Sequence, residues 1–106
     1  MSAWVYLILA GVFEIGFAST IKYTDNFTKL VPTLFFIFFA IGSFYLLTKA
    51  IEEIPVGTAY AIWTGIGVVG TIIIGIVVHN EPVTFFRILF LSTLVGSIIG
   101  LKVVSH

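Results

Sequence analysis

The fold is decided by a stretch near the beginning of the sequence, AWVYLILAGVFEIGFASTI, which runs from Ala3 to Ile21. It is apolar throughout, apart from two small hydroxyl side chains, one tyrosine and the carboxyl group of Glu14. A helix needs about 20 apolar residues to cross the ~30 Å hydrocarbon core of a bilayer. The stretch is therefore predicted to form a transmembrane helix.

Three further apolar runs of similar length follow, and short charged connectors separate them. The predicted spans are Ala3–Ile21, Pro32–Thr48, Val56–Val78 and Phe85–Val104. A chain of 106 residues accommodates four such helices with tight turns, but neither a fifth span nor an extramembrane domain. We predict an all-α membrane protein in which residues 1–106 form a single domain of four transmembrane helices.

The composition excludes several other classes of protein. Charged residues make up 9% of the chain, against roughly 25% in soluble proteins. Five Lys and Arg residues balance five Asp and Glu residues, so no basic surface is available to bind nucleic acid. There is no cysteine, and we expect His79 and His106, outside the spans, to face solvent. Neither a metal site nor a cofactor is expected, and no pair of nucleophile and base indicates an enzyme.

The positive charges are balanced between the two sides of the membrane. One side of a four-span chain carries the amino terminus with Lys49 and Lys102, and the other carries Lys22, Lys29 and Arg87. Membrane proteins are oriented by an excess of Lys and Arg on the cytoplasmic side, and here there is no excess. Either another feature sets the orientation, or the chain inserts both ways and two copies form an antiparallel dimer.

Glu14 is the ionisable residue that the sequence places deep inside a span. It lies about 16 Å from Ala3 along a helix that rises about 1.5 Å per residue, close to the bilayer centre. A charged carboxylate is costly there, so the group is suited to bind a proton or, in its place, a cation. The alternative is a protonated side chain that only hydrogen-bonds between helices. Its neighbours Ala10, Gly11 and Ala18 are small and leave room for a ligand.

The third span offers partners for this carboxyl group. Tyr60 and Trp63 share a helix face, and Thr64 extends it with a hydroxyl. Aromatic faces attract cations, and a tyrosine hydroxyl can hydrogen-bond a carboxylate or a ligand. In the second span, Ser43 is another polar group with little reason to face lipid. We expect Ser43, Tyr60 and Trp63 to line the site, with ordinary packing between helices as the alternative role.

Two glycine patterns lie within the spans. Gly65-Ile-Gly67-Val-Val-Gly70 formally matches a dinucleotide-binding fingerprint, but no strand precedes it and it lies inside a span. We expect Gly65 and Gly67 to permit a helix bend or close packing instead. Gly96 and Gly100 form a small-xxx-small pattern that lets two helices approach, and we predict that they pack the dimer.

Together, these features resemble the small multidrug resistance family of bacterial transporters. The resemblance rests on four short spans, Glu14 and the stretch Gly57-Thr-Ala-Tyr60-Ala-Ile-Trp63-Thr-Gly65-Ile-Gly67, and it runs nearly from end to end. Further motifs look most like the guanidinium-exporter subtype: Phe13-Glu14, Lys22-Tyr23, Phe27-Thr28, Ser43-Phe-Tyr-Leu-Leu47, Pro55-Val-Gly-Thr-Ala-Tyr60, Glu81-Pro82 and Ile99-Gly-Leu-Lys102.

The resemblance implies an antiparallel, dual-topology homodimer in the bacterial inner membrane. Glu14 of both copies would bind either protons or a small cation, with Ser43, Tyr60 and Trp63 around it. Guanidinium exporters usually carry tryptophan three residues after the glutamate. In this sequence the residue at that position is Phe17, which is expected to line the site but lacks the indole N–H.

The leading expectation is proton-coupled export of guanidinium ions. Three alternatives stay open: export of quaternary ammonium and other hydrophobic cations, work as half of a heteromeric pair, and a non-transporting membrane subunit. The first alternative would use contact between a cation and aromatic rings rather than hydrogen-bond donors.

Overall fold

The fold is a bundle of helices. A computed structural model describes residues 2–104, in which four α-helices follow in chain order: α1 (Ala3–Thr20), α2 (Leu30–Ala50), α3 (Val56–His79) and α4 (Phe85–Val104). A short 3-10 helix, Ile21–Thr24, continues α1. Each of the four helices in this part of the chain is long and apolar enough to cross a membrane. The prediction of an all-α protein with four membrane-spanning helices is confirmed.

Some helix ends differ from the predicted bounds for local reasons. α2 begins at Leu30 rather than Pro32, because a proline is tolerated in the first turn of a helix, where its missing N–H would have no partner. α3 ends at His79, and Asn80 closes it in the left-handed region with φ 54°. The N–H of Asn80 donates to the carbonyl of Gly75, which satisfies one of the last free carbonyls of the helix.

The connector between α1 and α2 is a tight left-handed turn. Asp25, Asn26 and Phe27 have φ values of 48°, 60° and 66°, a region that costs non-glycine residues about 1–2 kcal/mol each. The buried Thr24 holds the turn, since its hydroxyl donates to the carbonyl of Ile21 at 2.8 Å and accepts the N–H of Phe27 at 3.2 Å. The turn sets α1 and α2 side by side as a hairpin.

α1 is the central helix of the bundle, and it packs against both α2 and α3. A Cβ at Gly11 would lie 2.7 Å from Cγ2 of Ile66, and one at Gly70 would collide with Ile15, so these glycines let α1 and α3 approach closely. Within residues 2–104, α3 is the one helix whose backbone lies beside α4. No residue of α4 is buried.

The hydrophobic core lies at one end of the bundle. Its members come from the start of α1, the end of α2 with the following connector, and the start of α3, which meet on the same side of the membrane. They are Ala3, Leu7, Ala10, Ala50, Ile54, Ala59, Ile62 and Trp63. The opposite end, where α1 and α3 finish, holds the polar groups described below.

Candidate functional site

The carboxyl group of Glu14 lies at the contact between α1 and α3. Gly67 of α3 faces it so closely that a Cβ at Gly67 would collide with the carboxyl group. The side chain is half-buried, and its Oε1 is covered without a hydrogen-bond partner among residues 2–104. Because a covered polar atom without a partner is costly, it usually marks a functional group or a place for water or an ion.

A cavity of about 230 Å³ borders this carboxyl group. Its lining residues come from α1 and α3: Glu14, Ala18, Gly67, Val68, Thr71 and Ile72. Apart from the carboxyl and one hydroxyl group, the side chains that form the walls are apolar.

Ser43 joins α1, α2 and α3 in the buried part of the bundle. Its hydroxyl donates to the backbone carbonyl of Ala10 at 2.7 Å and accepts the indole N–H of Trp63 at 2.8 Å. The side chain is completely buried. Sequence reasoning chose Ser43 and Trp63 as neighbours of Glu14, whereas these bonds join them to each other and to α1.

An aromatic chain continues from Trp63 to α1. The ring of Phe44 lies 5.3 Å from that of Trp63 and 6.3 Å from that of Phe17, with which it is stacked. Tyr60 packs edge-on against Trp63 at 5.6 Å. The Tyr60 side chain is 58% exposed, which leaves it accessible to a ligand or a second copy. The structure therefore brings Phe17, Tyr60 and Trp63 into one cluster, and their contact with substrate stays a prediction.

The glycines singled out in the sequence have two different environments. α3 is helical without interruption through Gly65 and Gly67. A Cβ at Gly65 would lie 2.7 Å from Cδ1 of Ile98, and one at Gly67 would collide with the Glu14 carboxyl group. Both glycines therefore allow close packing, and a bend of α3 at these positions stays a prediction. Gly96 and Gly100, by contrast, face open space on α4.

An ion pair closes the connector between α3 and α4. Arg87 donates from Nη2 to Oε1 of Glu81 at 2.7 Å and from Nη1 to the carbonyl of Pro82 at 3.0 Å. The hydrogen bond from Arg87 holds the pKa of Glu81 below its ordinary value of 4.5. Glu81 is therefore ionised at neutral pH.

The sequence suggested that His79 faces solvent, whereas in the structure this residue has a hydrogen-bond partner. Its Nε2 and the hydroxyl of Tyr23 share a hydrogen bond of 3.2 Å, and the residue is half-buried. This contact links the end of α3 to the 3-10 helix that follows α1. His106 lies outside the described residues.

Sequence reasoning missed two hydroxyl residues close to Glu14. Thr71 lines the same cavity, and Ser19 lies on α1 five residues beyond the glutamate. The hydroxyl oxygens of both are covered and have no hydrogen-bond partner within the described range, residues 2–104. Helical spacing could have indicated Thr71, because it lies one turn after Gly67 on the same face of α3. No comparable spacing singled out Ser19.

Comparison with known proteins agrees with these features. The family model described as "Small Multidrug Resistance protein" matches residues 2–94. A protein of Proteus vulgaris named "Guanidinium exporter" is 48% identical over 103 residues, which cover 97% of this chain and 99% of that protein. Proteins with the same name from Yersinia pestis and Salmonella typhimurium are each 44% identical, over 97% and 98% of this chain and 99% of their own lengths. The chain is a multi-pass membrane protein that belongs to the small multidrug resistance family.

Proposed function

We propose that this chain exports guanidinium or small guanidinyl cations across the bacterial inner membrane in exchange for protons. The observation that carries the proposal is the Glu14 carboxyl group in the middle of α1, with one unpartnered oxygen at the wall of a small cavity. The similar proteins of Proteus vulgaris and Yersinia pestis are named guanidinium exporters, which supports the same substrate.

The chemistry follows from competition for one carboxyl group. A planar guanidinium ion presents N–H donors in a fork that fits the two oxygens of a carboxylate, and the pairing offsets the cost of removing both charges from water. A proton on Glu14 removes that attraction and releases the cation. If the binding site switches its access from one side of the membrane to the other only with a proton or a cation bound, an inward proton gradient drives export.

A second candidate function is export of quaternary ammonium ions. It is favoured by Phe17, which is stacked on Phe44 and offers an aromatic face in place of an N–H donor. The carboxyl group of Glu14 favours guanidinium instead, because its two oxygens can accept a fork of N–H donors. The two substrates can be compared directly in one transport assay.

The working unit of the proposal is an antiparallel homodimer. Supporting observations are the balanced Lys and Arg residues, the absence of buried residues on α4, and the open space beside Gly96 and Gly100. Since the chain has no cysteine, a Val104→Cys variant can be labelled with an impermeant thiol reagent from either face of the membrane. We expect labelling from both faces, and labelling from one face alone would refute dual topology.

Transport by the purified protein in liposomes tests the function. With a pH-sensitive dye inside, a guanidinium gradient should drive proton movement in the wild type, and Glu14→Gln should reduce it to the level of protein-free liposomes. Glu52→Gln is the matched control, because Glu52 lies in an exposed connector, where its nearest cation is Lys49 at 3.9 Å. Proton movement that persists in Glu14→Gln would refute the assigned role. A larger response to tetraethylammonium than to guanidinium would select the second candidate.

A further inference from the structure

We infer that the contact between α1 and α3 contains a polar passage from Glu14 to the membrane surface, with the hydroxyl groups of Thr71 and Ser19 along it. The passage would carry the protons of the proposed exchange, so the inference rests on that function. Its outer end lies where α1 and α3 finish, at the opposite end of the bundle from the hydrophobic core.

Two neighbouring cavities outline the passage. The cavity beside Glu14 shares Ala18 and Thr71 with a second cavity of about 120 Å³. The second cavity is also lined by Ser19 and, toward the surface, by three titratable side chains: Lys22, His79 and Glu81. The two spaces therefore follow one another from the carboxyl group to the charged end of the bundle.

Unpartnered polar atoms follow the same line. Within residues 2–104, the covered side-chain oxygen or nitrogen atoms that lack a hydrogen-bond partner are Glu14 Oε1, Thr71 Oγ1 and Ser19 Oγ. Each belongs to a residue that lines one or both of the two cavities. Their concentration along one interface indicates a place where these groups exchange hydrogen bonds with water, rather than three separate packing faults.

Thr71 also departs from the usual behaviour of a threonine in a helix. Such a hydroxyl commonly donates to a carbonyl of the preceding turn, as Thr20 does to Gly16 and Thr64 does to Tyr60, at 3.1 and 2.8 Å. Thr71 makes no such bond. A rotation about χ1 can turn its hydroxyl into either cavity, where it can accept and donate protons.

The cavities are large enough for water. At about 30 Å³ per molecule, even the smaller one has room for several, and hydroxyl and carboxyl groups supply the polar partners that an enclosed water needs. A chain of water between these groups connects Glu14 to the surface without requiring either hydroxyl to ionise.

Charged and titratable side chains surround the outer end of the passage. Glu81 is held by Arg87 from α4, and His79 is held by Tyr23. Lys22 also lines this end, where its positive charge acts on the Glu81 carboxylate.

Single cysteines test the passage without relying on transport. A thiol reacts as its thiolate, which forms in contact with water and not in hydrocarbon. In the cysteine-free chain reconstituted in liposomes, we expect Thr71→Cys to react with a small methanethiosulfonate at least about 10-fold faster than Ile73→Cys. Ile73 is the matched control, since it lies on the same helix, closer to the helix end, and is 47% exposed on the outer surface of the chain. Equal or slower reaction of Thr71→Cys would overturn the passage.

A second measurement separates proton movement from substrate binding. Ser19→Ala should slow guanidinium-driven proton movement about 10-fold and leave guanidinium affinity within about 2-fold, because Ser19 lines the outer cavity and not the one beside Glu14. Ser19→Thr, which keeps a hydroxyl group, should retain the wild-type rate. Thr33→Val is the control, because the Thr33 hydroxyl bonds to Lys29 within α2 at 2.6 Å.

The outcomes distinguish the two proposals. Wild-type rates in Ser19→Ala, or equal losses of rate and affinity, would overturn the passage while leaving the exchange intact. If the wild type moves no protons in response to guanidinium, the proposed function fails, and the cysteine reactivities still decide whether a water passage reaches Thr71.

Discussion

The hydrogen bonds of Ser43 give a quantitative prediction for the stability of the bundle. Ser43→Ala removes the bond to the Ala10 carbonyl and the bond from the Trp63 indole, both at a completely buried position. Hydrogen bonds between helices in membranes contribute about 0.6 kcal/mol on average and about 1.7 at most. Losing two of them should lower the free energy of unfolding by about 1–3 kcal/mol.

Reversible unfolding in mixed micelles, followed by tryptophan fluorescence, measures this loss. Ser97→Ala is the matched control, because Ser97 is exposed on α4 and its substitution should change stability by less than about 0.5 kcal/mol. Trp63→Phe removes the shared hydrogen bond from the other side, so the two substitutions should be non-additive. If Ser43→Ala costs no more than Ser97→Ala, or if its effect simply adds to that of Trp63→Phe, Ser43 does not join the helices as described.

Three further predictions concern other contacts. Gly67→Ala should reduce transport at least about 10-fold, because its methyl group displaces the carboxyl group of Glu14; transport at the wild-type rate in liposomes would contradict this contact. Arg87→Ala should raise the pKa of Glu81 toward 4.5, because the hydrogen bond from Arg87 lowers it in the folded protein. The ion pair therefore stabilises the protein at neutral pH, and this contribution is lost as the pH falls through the lowered pKa of Glu81. An unchanged pKa of Glu81 in an NMR titration of the variant would refute the pairing. Asn26→Val should destabilise the protein by about 1–2 kcal/mol, because a β-branched residue is strained at φ 60° in the first connector. Asn26→Gly should not destabilise it, and equal unfolding curves for the two variants would contradict that conformation.

The number and type of the helices could be predicted because apolar length alone decides them in a membrane. The sequence also indicated that Ser43 and Trp63 are interior polar groups, but not that they bond to each other. That pairing depends on how α2 and α3 are rotated against α1, which no single-helix pattern reveals. Thr71 was missed for a related reason, since threonines usually bond to their own helix and attract no notice.

The direction of the Glu14 side chain is the least predictable part of the site. Its position along α1 gave its depth, yet the residue that it touches, Gly67, has no side chain and so leaves no chemical signal in the sequence. Gly67 was interpreted mainly as a place for a bend. The structure adds that it provides the space in which the carboxyl group lies.

The peripheral position of α4, which packs beside α3 and buries none of its own residues, also has a consequence for how the protein is made. Among the four helices α4 is synthesised last, and the buried core is built from α1, α2, α3 and the connector before α3. These earlier helices can therefore complete their contacts during synthesis, as N-terminal parts of a chain generally do. Because the uncovered helix arrives only afterwards, any partner that binds it meets a subunit whose interior is already folded.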